Sequence, residues 1–432
     1  MKIFRASLLL AFLFGVDKIV GLARQLVVVK TYDVTAALDA YNAANNLPDT
    51  VVTLLAGGAL AVALIPVLTE SLDREGREAM WALFSRVLNI AFVLAALSAL
   101  VLAVFAEPFV RYVVVPDFSP EQQALTVGLM RVNLIAMLIF TLSGLSASGL
   151  QSHQHFLLPG LAPILYNVGQ IIGVVFLAPA LGIYGLAYGV ILGAALHLAI
   201  QLPGLVRYGF RWRPCLEWRH PSVIRVGRVI GPRLVNIFAF QLIFITTDRF
   251  ASGLNEGAVS ALAYGWLIMQ MPQTIIGTAT ATALLPALAD LVARGDAEGL
   301  KTTLRKTVAI LLALTIPTTI LAMILIGPAL EFAAAREFVS SNGAALITAA
   351  ALAFLPGIAS HSLVEIAVRT YYAQQKPLVP VVAAFLTAIL FALLCVMLTP
   401  GLSYVGIALA NTLAFTAEAI GLWWWLRRQR VV

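Results

Sequence analysis

Charge is scarce in this chain: Asp, Glu, Lys and Arg make up 11% of the 432 residues, against 61% hydrophobic. Soluble domains carry about 25% charged and about 45–50% apolar residues, so a water-soluble protein is excluded. Cysteine is nearly absent too. Cys215 sits in a polar stretch and Cys395 in an apolar run, so the sequence predicts neither a disulfide nor a thiolate metal site. His153 and His155 fall in a short turn without further metal ligands around them. No glycine-rich loop leads into Lys-Ser or Lys-Thr, which argues against ATP hydrolysis. No catalytic triad is visible either, so the chain reads as non-enzymatic and without a cofactor.

What fills the sequence is long apolar runs. A membrane span needs about 20 mostly apolar residues, and twelve segments qualify: 6–29, 39–68, 81–105, 126–150, 156–178, 183–206, 225–250, 257–289, 303–327, 343–371, 378–398 and 402–426. The fold class predicted is therefore all-α and polytopic. The net charge of +7 would suggest nucleic acid in a soluble protein, but here it is sorted by side. Lys2, Arg5, Arg74, Arg77 and Arg86 fall on one side with the arginines at 207, 211, 213, 219, 225, 228 and 233. Only Lys30, Arg111, Arg249 and Arg336 fall on the other. This positive-inside bias puts both termini in the cytoplasm, with anionic lipid headgroups as partners for the excess charge and nucleic acid excluded. Met1 to Arg5 followed by an apolar run has the look of a signal peptide. Asp17 and Lys18 interrupt that run and no small-residue cleavage site follows, so it reads as a retained first helix. Trp212, Trp218 and Trp423 to Trp425 read as interfacial anchors.

The chain repeats at an offset of about 220 residues. Pro66 corresponds to Pro286, Glu70 to Asp290, Arg74 to Arg294, Glu78 to Glu298, Pro108 to Pro328 and Tyr184 to Tyr404. Six spans is an even number, so both halves enter the membrane in the same direction, a parallel repeat about an axis along the membrane normal. The expected organisation is an N-terminal lobe, 1–206, an Arg-rich linker, 207–224, and a C-terminal lobe, 225–432. The halves differ chemically: Asp17, Lys18 and Arg24 correspond to Ile237, Phe238 and Phe244.

Those three charges are the most informative feature. An ionisable residue at the centre of a membrane helix costs roughly 2.5–3.5 kcal/mol on insertion scales and marks function by default. Lys18 and Arg24 suit a phosphate, Arg24 as a bidentate fork and Lys18 as a point charge. The structural alternative is internal neutralisation: Asp17 and Arg24 share a face, seven residues apart, and Asp17 also adjoins Lys18. In the second span Asp39, Asn42, Asn46, Asp49 and Thr53 recur on one helical face. Asp39 reads either as a gating carboxylate or as a solvated residue at the span's outer end. Asn42, Asn45 and Asn46 either line a polar cavity or hold helices together. Pro48, Gly57 and Gly58 would let the helix bend or pack closely. Glu418, deep in the last span, reads as a coupling carboxylate or an unpaired cleft residue. Glu365 and Arg369 form a helix pair at i,i+4, and Arg131 reads as snorkelling to the outer interface.

Several stretches together resemble the MurJ/MviN family of lipid II flippases, within the multidrug/oligosaccharidyl-lipid/polysaccharide exporter superfamily. They are Val20-Gly-Leu-Ala-Arg24-Gln, Ala37-Leu-Asp39-Ala-Tyr41, Asn46-Leu-Pro48, Ile65-Pro66-Val-Leu-Thr-Glu70, Phe156-Leu-Leu-Pro159, Ala162-Pro163-Ile-Leu-Tyr-Asn167, Gly182-Ile-Tyr-Gly-Leu-Ala-Tyr-Gly189, Asp248-Arg-Phe-Ala-Ser-Gly-Leu254 and Leu363-Val-Glu365. The resemblance implies a V-shaped, two-lobed transporter of the bacterial cell membrane. It would move undecaprenyl-pyrophosphate-linked peptidoglycan precursor from the inner to the outer leaflet by alternating access, beside cell-wall synthesis proteins. Arg24 and Asp39 match family cleft residues, and Lys18 stands where the family has arginine. Other positions depart: the family's second-helix arginine falls on Val52, its acidic neighbour on Gly57, and the eighth-helix arginine on Leu267. The family's two further C-terminal helices have no counterpart in these residues, and the sodium-site pattern of some members has none in the eleventh span. Two other readings are kept: a flippase for another polyprenyl-linked polysaccharide, and a degenerate transporter acting as a membrane scaffold.

Overall fold

A chain this apolar must satisfy its backbone N–H and C=O groups internally, and the helix does so within one segment. The computed structural model describes residues 2–55 and 58–429, with side chains at 12–55 and, from 64 onward, at all but 229, 230, 232, 233 and 236. Among the described residues every regular element is helical. In chain order these are α1 (Lys2–Tyr32), α2 (Ala36–Leu55), α3 (Gly58–Glu75), α4 (Arg77–Val104), α5 (Pro120–Ser152), α6 (Leu157–Leu181), α7 (Tyr184–Arg207) and α8 (Pro221–Ala251). There follow α9 (Ala258–Ala293), α10 (Ala297–Ala335), α11 (Ser341–Phe354), α12 (Gly357–Ala373) and α13 (Leu378–Arg428). A short helical segment, Ala106–Phe109 continued by Val110–Val114, lies between α4 and α5. Caps appear where the chain re-enters a helix: Ser119 accepts from Gln122 N at 3.2 Å, Asp296 from Gly299 N at 2.8 Å and Ser340 from Gly343 N at 2.9 Å.

Among the described residues seven of these helices, or eight counting the bent pair α11 and α12 as one span, are long and apolar enough to cross a membrane. The elements follow the order of the twelve segments read from hydropathy, with two differences of form. The tenth is not one long span: α11 and α12 meet at 46°. Pro356 stands at the break and has no N–H to continue the ladder. The last two passes are one 51-residue helix by hydrogen bonding, broken at Ser403 (φ 52, ψ −141). Its limbs fold back on each other, since Lys376 Nζ donates to Gln429 Oε1 at 2.9 Å. The repeat is visible in this backbone. Gly182, between α6 and α7, has φ 56 and ψ −136, nearly the same turn two residues before Tyr184 that Ser403 makes one residue before Tyr404. Glycine enters that region without cost, whereas another residue there costs about 1–3 kcal/mol. Ser403→Gly is therefore expected to stabilise the protein by about 1 kcal/mol after the extra chain entropy of glycine is subtracted, read as a higher melting temperature in detergent.

Two compact units result, Met1–Phe238 and Ala239–Val432, and the division falls inside α8. In the first unit α6 and α7 cross on glycine. A Cβ at Gly169 would lie 2.3 Å from Gly193 Cα, and one at Gly173 the same distance from Gly189 Cα. Membrane helices lacking a hydrophobic drive toward each other associate through such close small-residue packing. Near one end of the unit, Trp81 donates to Tyr208 O at 2.9 Å and stacks on His153, with ring centroids 5.1 Å apart. Burial, reinforced by the Arg77 charge, holds His153 below the ordinary histidine range. Its role here is packing. The segment predicted as an Arg-rich linker is docked on α4. Asn89 Nδ2 donates to the carbonyls of Arg213 (2.7 Å) and Cys215 (2.9 Å), and Arg86 pairs with Glu217 at 2.8 Å. Arg225 bridges to Glu70 at 2.8 Å, so the start of α8 belongs to the same unit.

In the second unit, aromatic rings occupy the ground that charges hold in the first. Phe244 packs edge-on against Trp266 at 5.7 Å, and Trp266 against His361 at 5.3 Å. His361 stacks on Phe415 at 3.8 Å and shares a hydrogen bond with Asn411 at 3.2 Å. Glu365 and Arg369 approach to 3.6 Å within α12, the structural pair expected.

Candidate functional site

Asp17 and Arg24 lie seven residues apart, two helical turns, so both look toward the same neighbour. That neighbour is α6. Asn167 Nδ2 donates to Asp17 Oδ1 at 3.0 Å, and Arg24 Nη1 donates to Gln170 Oε1 at 3.3 Å. Asn167 and Gln170 are three residues apart on one face of α6, so the two bonds form successive rungs between the helices. Among the described residues Asp17 makes no ion pair with Arg24 or Lys18, contrary to the neutralisation that sequence spacing allowed; the Asn167 amide holds it instead. Arg24 is not saturated, because its Nε is buried without a hydrogen-bond partner. Arg131, in contrast, donates to Ala103 O at 3.2 Å near the end of α4, in keeping with an interfacial position.

The stripe on α2 completes the surroundings. Asp39 is 2% exposed, so the reading of a solvated residue at the span's end does not hold. Asn42 and Asn46 are half-buried, and Thr50 donates to Asn46 O at 2.6 Å. Asn45 accepts from Asn133 Nδ2 of α5 at 2.6 Å, which makes it an interhelical fastener. Tyr41 of α2 and Tyr166 of α6 both lie within electrostatic reach of Arg24 and Asp49. One guanidinium, one carboxylate, two phenols and the Gln170 amide thus converge within the first unit. Lys18, one step round α1 from Asp17, is exposed and joins none of these contacts. Pro48 is buried, and α2 runs through it unbroken to Leu55 rather than ending there. Gly58 opens α3, and Gly57 lies outside the described residues. Glu418 is in the second unit, on the last limb of α13, where it lines a groove with Thr387 of the other limb.

Asn167 and Gln170 were not picked out from sequence as site residues. Their signal was present: two amides three apart in an otherwise apolar span, a costly placement unless each finds a partner. Gln170→Ala is expected to lower transport about tenfold by removing a hydrogen bond to a charged group, worth about 1.5–3 kcal/mol. Gln170→Glu should lower it further, since a carboxylate there pairs with Arg24 and competes for it. Transport at matched membrane levels checks both, and equal activity of the two variants would refute the positioning role.

The arrangement can hold an anion. It presents a cation anchored in a membrane helix, with unsatisfied donor capacity and polar groups from two neighbouring helices. Among the described residues no group of three or more His, Cys, Asp or Glu is placed to hold a metal. Known proteins share both fold and sequence with this chain. A lipid II flippase MurJ from Burkholderia cenocepacia is 27% identical over all of this chain and 85% of its own length. A probable lipid II flippase MurJ from Vibrio cholerae is 25% identical over 96% of this chain and 81% of its own. A solved structure of lipid II flippase MurJ in an inward closed conformation superposes with a TM-score of 0.83 at 19% identity, over 98% of this chain and 89% of the other. An inward-facing multidrug resistance transporter of the MATE family, in the MOP superfamily, gives 0.74 at 14% identity over 95% and 98%. The family described as lipid II flippase MurJ matches residues 29–432, and with nearly the whole chain in that match, this multi-pass membrane protein belongs to the lipid II flippase MurJ family.

Proposed function

We propose that this chain is a lipid II flippase. It carries the undecaprenyl-pyrophosphate-linked peptidoglycan precursor from the inner to the outer leaflet of the bacterial cytoplasmic membrane by alternating access. The observation that carries the reading is Arg24, held inside α1 by Gln170 with a buried Nε still unpaired. A guanidinium so placed recovers its desolvation cost when a pyrophosphate completes its hydrogen bonds. Lys18, exposed on the same helix, adds a point charge for the approaching headgroup, while Asn42 and Asn46 offer amide contacts to its sugar or peptide. Asp39 gates or couples the cycle through its buried carboxylate, and Asp17, fixed to α6 by Asn167, is a further candidate for that role. Glu418 is a second candidate coupling carboxylate, and Pro48 with the Gly57 and Gly58 pair is the flexible part of the second pass. Positive charge concentrated on one side places both termini in the cytoplasm, where cell-wall synthesis proteins are the natural partners.

The chain performs no bond chemistry in this reading. Coupling to the membrane potential suffices as a drive, since one charge moving through 100 mV yields about 2.3 kcal/mol. The test is reconstitution into proteoliposomes with fluorescent lipid II, scoring access of an external reagent to the headgroup. Flipping of lipid II in preference to another polyprenyl-linked glycan is expected. Flipping of the other glycan alone would move the assignment to it, and flipping of neither by well-inserted protein would favour a scaffold.

A further inference from the structure

The second unit carries an apolar groove of about 580 Å³ along the two limbs of α13. Leu386 and Leu390 form one wall, Gly421 opens the other, and Trp424 and Trp425 stand at one end. From Leu378 to Leu390 the wall rises ~18 Å at 1.5 Å per residue, against ~15 Å for half of a hydrocarbon core. The groove therefore runs about the depth of one leaflet. Both tryptophans are about half exposed (50% and 43%), as residues at a headgroup level are.

Charge at that end is of one sign. Lys376 Nζ reaches across to Gln429, joining the two limbs at 2.9 Å. Arg428 lies over the Trp424 ring at 4.3 Å, and Arg427 is exposed beside it. The stretches 374–378 and 424–429 contain no carboxylate. Glu418 and Thr387 line the inner part of the groove, Glu418 nine residues below Arg427, ~14 Å along the helix. It sits too deep to meet a headgroup. An apolar chain fits the wall, and a phosphate at the tryptophan end fits the cations.

We propose that this groove is a binding site for an anionic glycerophospholipid of the surrounding bilayer, with one acyl chain along Leu386 and Leu390 and its phosphate among Lys376, Arg427 and Arg428. The site lies wholly within the second unit, and the proposal stands whether or not lipid II is the transported molecule.

Gly421 supplies a clean test, because a Cβ there meets nothing within 4 Å. Gly421→Phe should fill the groove without disturbing the protein, and it replaces glycine in a helix interior. The full chain, extracted and examined by native mass spectrometry after exposure to equal amounts of phosphatidylglycerol and phosphatidylcholine, should retain phosphatidylglycerol at least tenfold over phosphatidylcholine. Gly421→Phe should cut that retention tenfold with an unchanged melting temperature. The double variant Arg427→Gln, Arg428→Gln should retain both lipids alike, which tests the site independently of Gly421. Equal retention of the two lipids by the unmodified protein, or undiminished phosphatidylglycerol in folded Gly421→Phe, would overturn the proposal. So would tenfold tighter retention of undecaprenyl phosphate, pointing to the carrier lipid. Binding of tetraphenylphosphonium that Glu418→Gln abolishes would overturn it in favour of a cation site.

Discussion

Arg24→Ala is expected to abolish growth rescue in a bacterium depleted of its own lipid II flippase, at membrane levels equal to the unmodified protein. The size of the effect follows from where the guanidinium sits. A charge-assisted hydrogen bond contributes about 1.5–3 kcal/mol, and a fork meeting a pyrophosphate makes two. Each 1.36 kcal/mol is tenfold in rate, so the loss in headgroup capture is on the order of a hundredfold or more. The only hydrogen bond Arg24 makes among the described residues is to Gln170 at 3.3 Å, so alanine leaves the fold's other contacts in place. Arg24→Lys separates charge from geometry. It keeps the cation and loses the fork, and partial rescue, about tenfold weaker, is expected. A scaffold would behave differently: normal rescue by Arg24→Ala would remove the anion-binding role and leave the chain a structural member of the family. Asp39→Asn completes the series. Asp39 is 2% exposed, so the neutral isostere retains packing, and a transport loss with normal protein levels would assign the carboxylate to gating.

The spans were legible because a bilayer imposes length and composition on each one, and both are local properties. Asp17 and Arg24 were legible as sharing a face for the same reason, since the helical period depends only on neighbours in sequence. What the period does not give is the helix that face meets. Asn167 and Gln170 lie 150 and 146 residues away, and nothing in a pattern around residues 17–24 names them. Charge neutralisation within α1 therefore stood as the alternative to phosphate binding, where the structure places amides from α6. Asp39 shows the same limit: its place near a span end left both a gating carboxylate and a solvated residue open, and packing of neighbouring helices buries it. Pro48 and Pro356 form an instructive pair. The rule that proline breaks a helix holds at Pro356, where α11 and α12 part at 46°, and fails at Pro48, where α2 continues to Leu55. Proline permits a break; the packing of the surrounding helices decides whether one occurs.

Gly173→Leu is expected to prevent assembly of the first unit, the largest stability effect predicted for this chain. A Cβ at Gly173 would fall 2.3 Å from Gly189 Cα and 2.6 Å from Gly185 O. Both are backbone atoms, so no rotamer change can make room, and α6 and α7 must separate. Overpacking of an interior typically costs 1–3 kcal/mol where side chains can yield; here the cost lies at or above ~3 kcal/mol. Separation also carries Asn167 and Gln170 away from Asp17 and Arg24, because α6 holds both amides. Stability and the anion site thus fail together, although Gly173 touches neither. The measurement is the yield of monodisperse protein after extraction, with Gly227→Leu as control, since a Cβ there meets nothing within 4 Å. A normal yield for Gly173→Leu would mean that α6 and α7 do not cross on glycine. Low yield with normal Gly227→Leu would tie the headgroup site to a helix crossing about one turn beyond it on α6, and would explain how the two charged rungs of a membrane helix are kept in place.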